Sequence, residues 1–277
     1  MKLLVCLLLT LGALPAKILR DIAYVSEGDS LQTLDVYLPD QPFKRGTPVV
    51  IGIHGGAWAF GDKSNLGFVQ PKARWFNSQG FLFVSINYRL SPKVTHPEHI
   101  EDVCQAVTWI EENIASHGGD PKQLYLLGHS AGAHLAALAA VDEARLKKAG
   151  TDPKSIRGAI LLDGAAYHVP NQIATALRKN NIYTKAFTLD EESQKDASPT
   201  LKASQMKGTP PPFLILHVAK RKESRAQSET LAKALRAKGG KAQVMGIEGK
   251  THGTINRDLG KAEDATTKAV ARFLNKR

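Results

Sequence analysis

LLGHSAGAHLAAL, residues 126–138, sets Ser130 between Gly128 and Gly132 where an apolar run gives way to an Ala-rich one. A strand that turns at once into a helix needs glycines there, because larger side chains would collide with the neighbouring strand and helix. Such a G-x-S-x-G turn lifts the serine oxygen above the sheet. The helix N-terminus behind it presents free backbone N–H groups and a positive dipole end to a developing oxyanion. Ser130 is therefore the candidate nucleophile, weighed against a plain helix-capping serine.

Working outward, short apolar runs recur with helical patterns between them. VVIGI (49–53), FLFVSI (81–86), LYLL (124–127), GAILL (158–162), FLILHV (213–218) and AQVMGI (242–247) fit buried strands of a parallel sheet. LQTLDVYL (31–38) partly alternates, with Leu34, Val36 and Leu38 opposite Asp35 and Tyr37, and reads as a half-exposed strand. Helices are expected over 99–115, 131–140, 224–240 (closed by Gly239) and 262–274. The alternation predicts one α/β domain over residues 17–277 with a mostly parallel sheet. Residues 164–212 break the rhythm, and a connection of that length reads as a lid or pocket wall.

Composition sets limits on the partners. The net charge of +11 invites nucleic acid or an anionic surface, but Lys and Arg are scattered without runs or basic–aromatic interleaving. That pattern reads as a solvated surface and predicts no nucleic-acid partner. MKLLVCLLLTLGALPA, residues 1–16, has Lys2 ahead of an apolar stretch and ends in Ala16. This is the layout of a secretory signal peptide, so the chain is expected to be secreted or periplasmic. The apolar stretch is shorter than the roughly 20 residues of a bilayer crossing, and no later segment is a candidate span. Loss of Cys6 with the signal leaves Cys104 alone, which excludes an internal disulfide and a Cys-based zinc site.

A serine hydroxyl needs a base, and nine histidines are available. His252, in EGKTHGTIN between the last strand and the last helix, is the candidate. His54, His129, His134 and His217 read as residues of turns, strand ends or helix packing. His96 and His99 form an H-x-x-H interrupted by Pro97, and nothing completes a metal set around them. The oxyanion needs fixed donors. IHGGAW (53–58) follows a central strand, and its consecutive glycines let N–H groups turn inward. Gly56 and Ala57, with Ala131 after the nucleophile, are the candidate oxyanion hole.

IHGGAWAFGDKS, NYRLSPKVTHPEHIEDV, GHSAGAHLAAL and THGTIN, in that order, resemble the α/β-hydrolase fold. More narrowly, the chain resembles the carboxylesterases related to hormone-sensitive lipase and to kynurenine formamidase, from about Leu31 to the C-terminal helix. The resemblance implies a central, twisted, mostly parallel sheet of about eight strands with helices on both faces. It also implies hydrolysis of a small-molecule ester through an acyl-enzyme, with no metal and no organic cofactor. The family's triad acid is an Asp just past the strand that here reads FLILHV, yet Lys220 or Arg221 stands there. Glu223 on the same loop is the first candidate for the acid. Asp163, after GAILL, is the alternative, because some hydrolases of this fold carry the acid one strand earlier. Two other readings stay open: an arylformamidase-type amide hydrolase, and a catalytically impaired binding protein motivated by Lys220.

Overall fold

A computed structural model of the chain describes residues 17–39, 46–175 and 182–275. The signal-peptide expectation therefore lies outside the described residues. The strands are β1 (Ile18–Ala23), β2 (Thr33–Tyr37), β3 (Thr47–Ile53), β4 (Leu82–Ile86), β5 (Gly119–His129), β6 (Ile156–Leu162), β7 (Phe213–Val218) and β8 (Ala242–Ile247). They form one eight-stranded sheet in the order β1-β2-β4-β3-β5-β6-β7-β8. The β1–β2 and β2–β4 pairs are antiparallel, and every later pair is parallel. The helices are α1 (Leu66–Ser78), α2 (Glu98–Asn113), α3 (Ala131–Val141), α4 (Glu143–Ala149), α5 (Val169–Thr175), α6 (Ile182–Phe187), α7 (Glu191–Asp196), α8 (Pro199–Gln205), α9 (Lys222–Ala237), α10 (Thr254–Arg257) and α11 (Ala265–Leu274).

The pleat sends alternate side chains of each central strand to opposite faces. Val49, Ile51 and Ile53 of β3 join the layer that α2, α3 and α9 cover, through Val103, Leu135 and Leu231. Val50 joins Phe68 and Phe76 of α1 and Val270 of α11 in the other layer. Both faces being covered explains the unbroken apolar runs. Each such side chain, fully buried, contributes roughly 1.5–3 kcal/mol. Among the described residues no helix is long and apolar enough to cross a membrane.

Three local expectations are corrected. The first is β2, which is not half-exposed: Tyr37 is buried and Asp35 is fully buried, its carboxylate 2.8 Å from Lys63 Nζ. The second concerns β8, which is the sheet's edge and is mostly half-exposed rather than buried. Finally, β1 pairs onto β2 with a register shift between Leu19 and Ile22, an irregularity that hid it in the sequence.

The parallel strands bring their C-terminal ends to one edge of the sheet, where ligands of open α/β folds bind. The segments that follow β3, β5, β6, β7 and β8 meet there. They carry the HGGAW loop, Ser130, Asp163, Arg221 and His252.

Candidate active site

Ser130 occupies the single residue between β5 and α3, at φ 56° and ψ −118°. Positive φ is costly for a side-chain-bearing residue and is held only where the surroundings force it. The glycines supply that force. A Cβ on Gly128 would lie 2.1 Å from the Gly132 carbonyl oxygen, and one on Gly132 would lie 2.1 Å from that of Ile53. The Ser130 N–H donates to Leu162 O at 3.0 Å, which ties the turn to the end of β6.

His252, between β8 and α10, places Nε2 at 3.0 Å from Ser130 Oγ. Its Nδ1 lies 2.7 Å from Asp163 Oδ2. Asp163 directly follows β6, with φ 47° and a fully buried side chain. Its Oδ1 accepts from the Val218 N–H at 3.0 Å. Burial would raise the Asp163 carboxyl, but donors from His252, Val218, Ser224 and Arg221 outweigh it and hold the group below the usual carboxylate range.

Of the two acids proposed from sequence, the structure brings Asp163 to the imidazole and leaves Glu223 away from it. Glu223 stands in the first turn of α9, where it accepts from the side-chain amide of Gln172. The basic residue at the family's acid position is not a vacancy in the site. Lys220 is exposed, whereas the Arg221 guanidinium pairs with Asp163 Oδ2 and places Nη1 2.7 Å from His252 Nδ1.

The HGGAW loop packs directly against Ser130: a Cβ on Gly55 would lie 3.1 Å from the Ser130 Cβ. Gly56, Ala57 and Trp58 follow at φ 119°, 54° and 58°. The Gly56 carbonyl accepts from Ala59 at 3.0 Å and Phe60 at 2.8 Å, closing the loop on itself. Behind it, the Tyr88 hydroxyl donates to His54 O at 3.1 Å while the two rings stack at 4.5 Å. The amides of Gly56 and Ala57 thus belong to a pinned loop beside the first residue of α3, Ala131. Trp58 is buried, with Phe187 and Tyr183 of α6 edge-on at 4.7 and 5.9 Å. The connection after β6 therefore walls the loop that flanks Ser130.

Two contributors escaped the sequence reading. His129 donates from Nε2 to the His252 carbonyl at 2.8 Å, with the rings 4.6 Å apart, so one turn positions both nucleophile and base. Burial pushes its imidazole down to about 3, and it stays neutral. Lys72 of α1 is fully buried and donates to Asn256 O of α10 at 2.7 Å, which anchors the segment after His252. The other histidines diverge. His96 Nε2 meets Asp196 at 2.7 Å, His99 Nε2 meets the Ser91 hydroxyl at 3.1 Å, and His134 donates to Ala197 O at 2.8 Å.

Comparison with known proteins places the chain among esterase-like sequences and folds. The BD-FAE family model matches residues 34–235. A probable isoprenylcysteine alpha-carbonyl methylesterase of Oryza sativa is 30% identical over 249 residues, 85% of this chain and 58% of that protein. A probable carboxylic ester hydrolase of Mycobacterium tuberculosis, LipM, is 32% identical over 71% of this chain and 46% of its own length. The chain thus spans about half the length of these curated relatives. Among solved structures, esterase B from Lactobacillus rhamnosis superposes with a TM-score of 0.79 at 22% identity, covering 95% of this chain and 86% of that one. A truncated carbohydrate esterase from gut microbiota gives 0.72 at 21%, covering 94% and 96%.

Proposed function

The chain belongs to the BD-FAE family, and from that premise we propose that it is a serine carboxylesterase acting on small or aryl carboxylic esters. One arrangement carries the reading: Ser130 Oγ, both nitrogens of His252 and Asp163 Oδ2 lie in a chain of 3.0 and 2.7 Å contacts. The names of the curated relatives, ester hydrolase and methylesterase, favour an ester over a formamide.

In the proposed cycle, Ser130 Oγ attacks the ester carbonyl carbon while His252 Nε2 takes its proton. The negative charge gathering on the carbonyl oxygen is met by the N–H groups of Gly56, Ala57 and Ala131. Donors of this kind contribute about 3 kcal/mol each to such transition states. Asp163 holds the proton on Nδ1, which leaves Nε2 free to accept, and stabilises the imidazolium. The imidazolium then returns its proton to the leaving alkoxide. Water, deprotonated by the same Nε2, attacks the acyl carbon. As the bond to Ser130 Oγ breaks, the imidazolium returns that proton to Oγ and the acid leaves. In this scheme the packing of Trp58 against Tyr183 and Phe187 holds the loop that carries the oxyanion donors.

Exposure of purified protein to p-nitrophenyl acetate and to a fluorophosphonate probe, beside Ser130→Ala, tests the proposal. Turnover and labelling that both vanish with Ser130 are expected. Turnover unchanged in Ser130→Ala, or no labelling of the wild type, overturns the reading. The secreted or periplasmic placement belongs to the same proposal, and the exported protein is expected to begin at Lys17 on N-terminal sequencing.

A further inference from the structure

The Arg221 guanidinium stands where the resemblance leads one to expect an acid, and it touches both partners of the acid–base pair. Nη1 pairs with Asp163 Oδ2 and lies 2.7 Å from His252 Nδ1. Arg221 is itself held in place: its N–H donates to Val218 O at 2.9 Å, and its carbonyl accepts from Arg225 at 3.0 Å in the first turn of α9. The end of β7 thus grips both oxygens of one buried carboxylate, Oδ1 through the Val218 N–H and Oδ2 through Arg221.

We propose that Arg221 is a positioning residue that orients Asp163 and offsets much of its charge, so that the site keeps an unprotonated base at lower pH than an Asp–His pair alone would. This rests on the esterase reading for its consequence in turnover, though not for its effect on the imidazole.

Arg221 has no acceptor, so a hydrogen bond from Nη1 to Nδ1 would require the ring proton to sit on Nε2. That tautomer cannot take a proton from Ser130. With Asp163 ionised between the two nitrogens, Nδ1 carries the proton and both groups donate to Oδ2. The guanidinium then lies against Nδ1–H, and a second positive charge on the ring meets repulsion as well as the attraction of Asp163. Arg221 is partly open to solvent, its side chain 37% exposed, which moderates the repulsion without cancelling it.

The other groups around His252 do not supply this effect. Ser130 faces Nε2. His129, on the β5 side, is neutral. Lys250 is paired with Asp258 and Asp264. Glu223 is engaged with Gln172. Lys72, reaching the α10 carbonyl of Asn256, is pulled down by burial to about 7 and titrates in the same range, so it must be removed from the measurement.

The test compares Arg221→Met and Arg221→Lys, each also in a Lys72→Met background. Two readouts are taken from about pH 4 to about pH 10: kcat/KM for p-nitrophenyl acetate, and NMR titration of the His252 Cε1–H, assigned by comparison with His252→Gln. In Arg221→Met the acid limb and the imidazole midpoint both move up by about one pH unit, so kcat/KM falls about tenfold on the acid side. Arg221→Lys keeps the charge and stays close to wild type. Midpoints that do not move in Arg221→Met, including a uniform loss of rate at every pH, overturn the proposal. The NMR midpoint is read without turnover, so a protein that hydrolyses nothing still answers the question about Arg221.

Discussion

The Asp163 carboxylate lies 2.7 Å from His252 Nδ1 across 89 residues of chain, although the acid follows β6 and not the next strand. Register makes this work. In the β6–β7 pair Leu162 stands beside Leu216, and the Asp163 N–H donates to Leu216 O at 2.7 Å, which swings the carboxylate over the end of β7 toward the β8 loop. Asp163→Asn is expected to lower kcat by about three to four orders of magnitude, through loss of the working tautomer and of charge opposite the imidazolium. Glu223→Gln is expected to stay within a few-fold of wild type. Steady-state hydrolysis of p-nitrophenyl acetate by the two variants decides it; the opposite ranking would return the role to Glu223.

Much of the site was legible because local sterics constrain it. Gly128 and Gly132 admit no side chain, and Ser130 in the turn between them must face the sheet's edge. The HGGA run was readable for the same reason. The acid was not. In GAILLDGAAY an Asp before a Gly carries the signature of an ordinary turn, and only the pairing of β6 with β7 brings it to His252. The roles of His129 and Lys72 also depend on long-range packing, 123 and 184 residues from their partners. In the fold, β1 was lost because ILRDIA carries Arg20 and Asp21 at a break in register. Burial of β8 was overestimated, since an apolar run reads alike at the centre and at the edge of a sheet.

Close approach at the nucleophile turn predicts a steep penalty for one methyl group. In Gly132→Ala the new Cβ would meet backbone, the carbonyl oxygens of Ile53 at 2.1 Å and His54 at 2.5 Å, and neither can rotate away. A loss of about 2 kcal/mol or more is expected, with fluorophosphonate labelling reduced as the turn shifts. Gly67, in the first turn of α1, meets only Asn65 Oδ1 at 3.4 Å. Gly67→Ala should be neutral or slightly stabilising, because alanine favours the helix. Thermal unfolding of the pair is the measurement, and equal melting temperatures would contradict the packing argument.

Asp102, fully buried on α2, explains the spacing of the NYRLSPKVTHPEHIED motif. Its carboxylate accepts from the Arg89 N–H at 2.9 Å, from Arg89 Nε at 2.8 Å and Nη2 at 2.8 Å, and from Gln32 Nε2 at 2.7 Å. The pair pins the segment after β4, which carries Tyr88 beneath the HGGAW loop. Removing the carboxylate leaves these donors unmatched, and Asp102→Ala is expected to cost about 3 kcal/mol. The Arg89 side chain is 26% exposed and can partly re-solvate, which keeps the loss below that of a sealed pair. A fall in melting temperature with fluorophosphonate labelling retained below the transition is the expected result; an unchanged melting temperature would refute it.

Lys72 makes stability rise with pH over a window where most buried groups do nothing. Burial pulls its ammonium down to about 7, with the Asp258 charge opposing the shift, while an unfolded chain holds the proton to about 10.4. Between these values the unfolded state binds up to one proton more than the native one, so unfolding free energy increases with pH, by about 1.4 kcal/mol per unit. Below about 7 both states are charged and the full desolvation penalty is present. Lys72→Met removes the ammonium and with it the slope. The variant should be more stable than wild type near pH 6, less the hydrogen bond lost to Asn256, and this advantage should vanish as pH approaches 10. Unfolding midpoints of both proteins across that range give the difference curve, and two parallel curves would mean that Lys72 keeps its proton throughout.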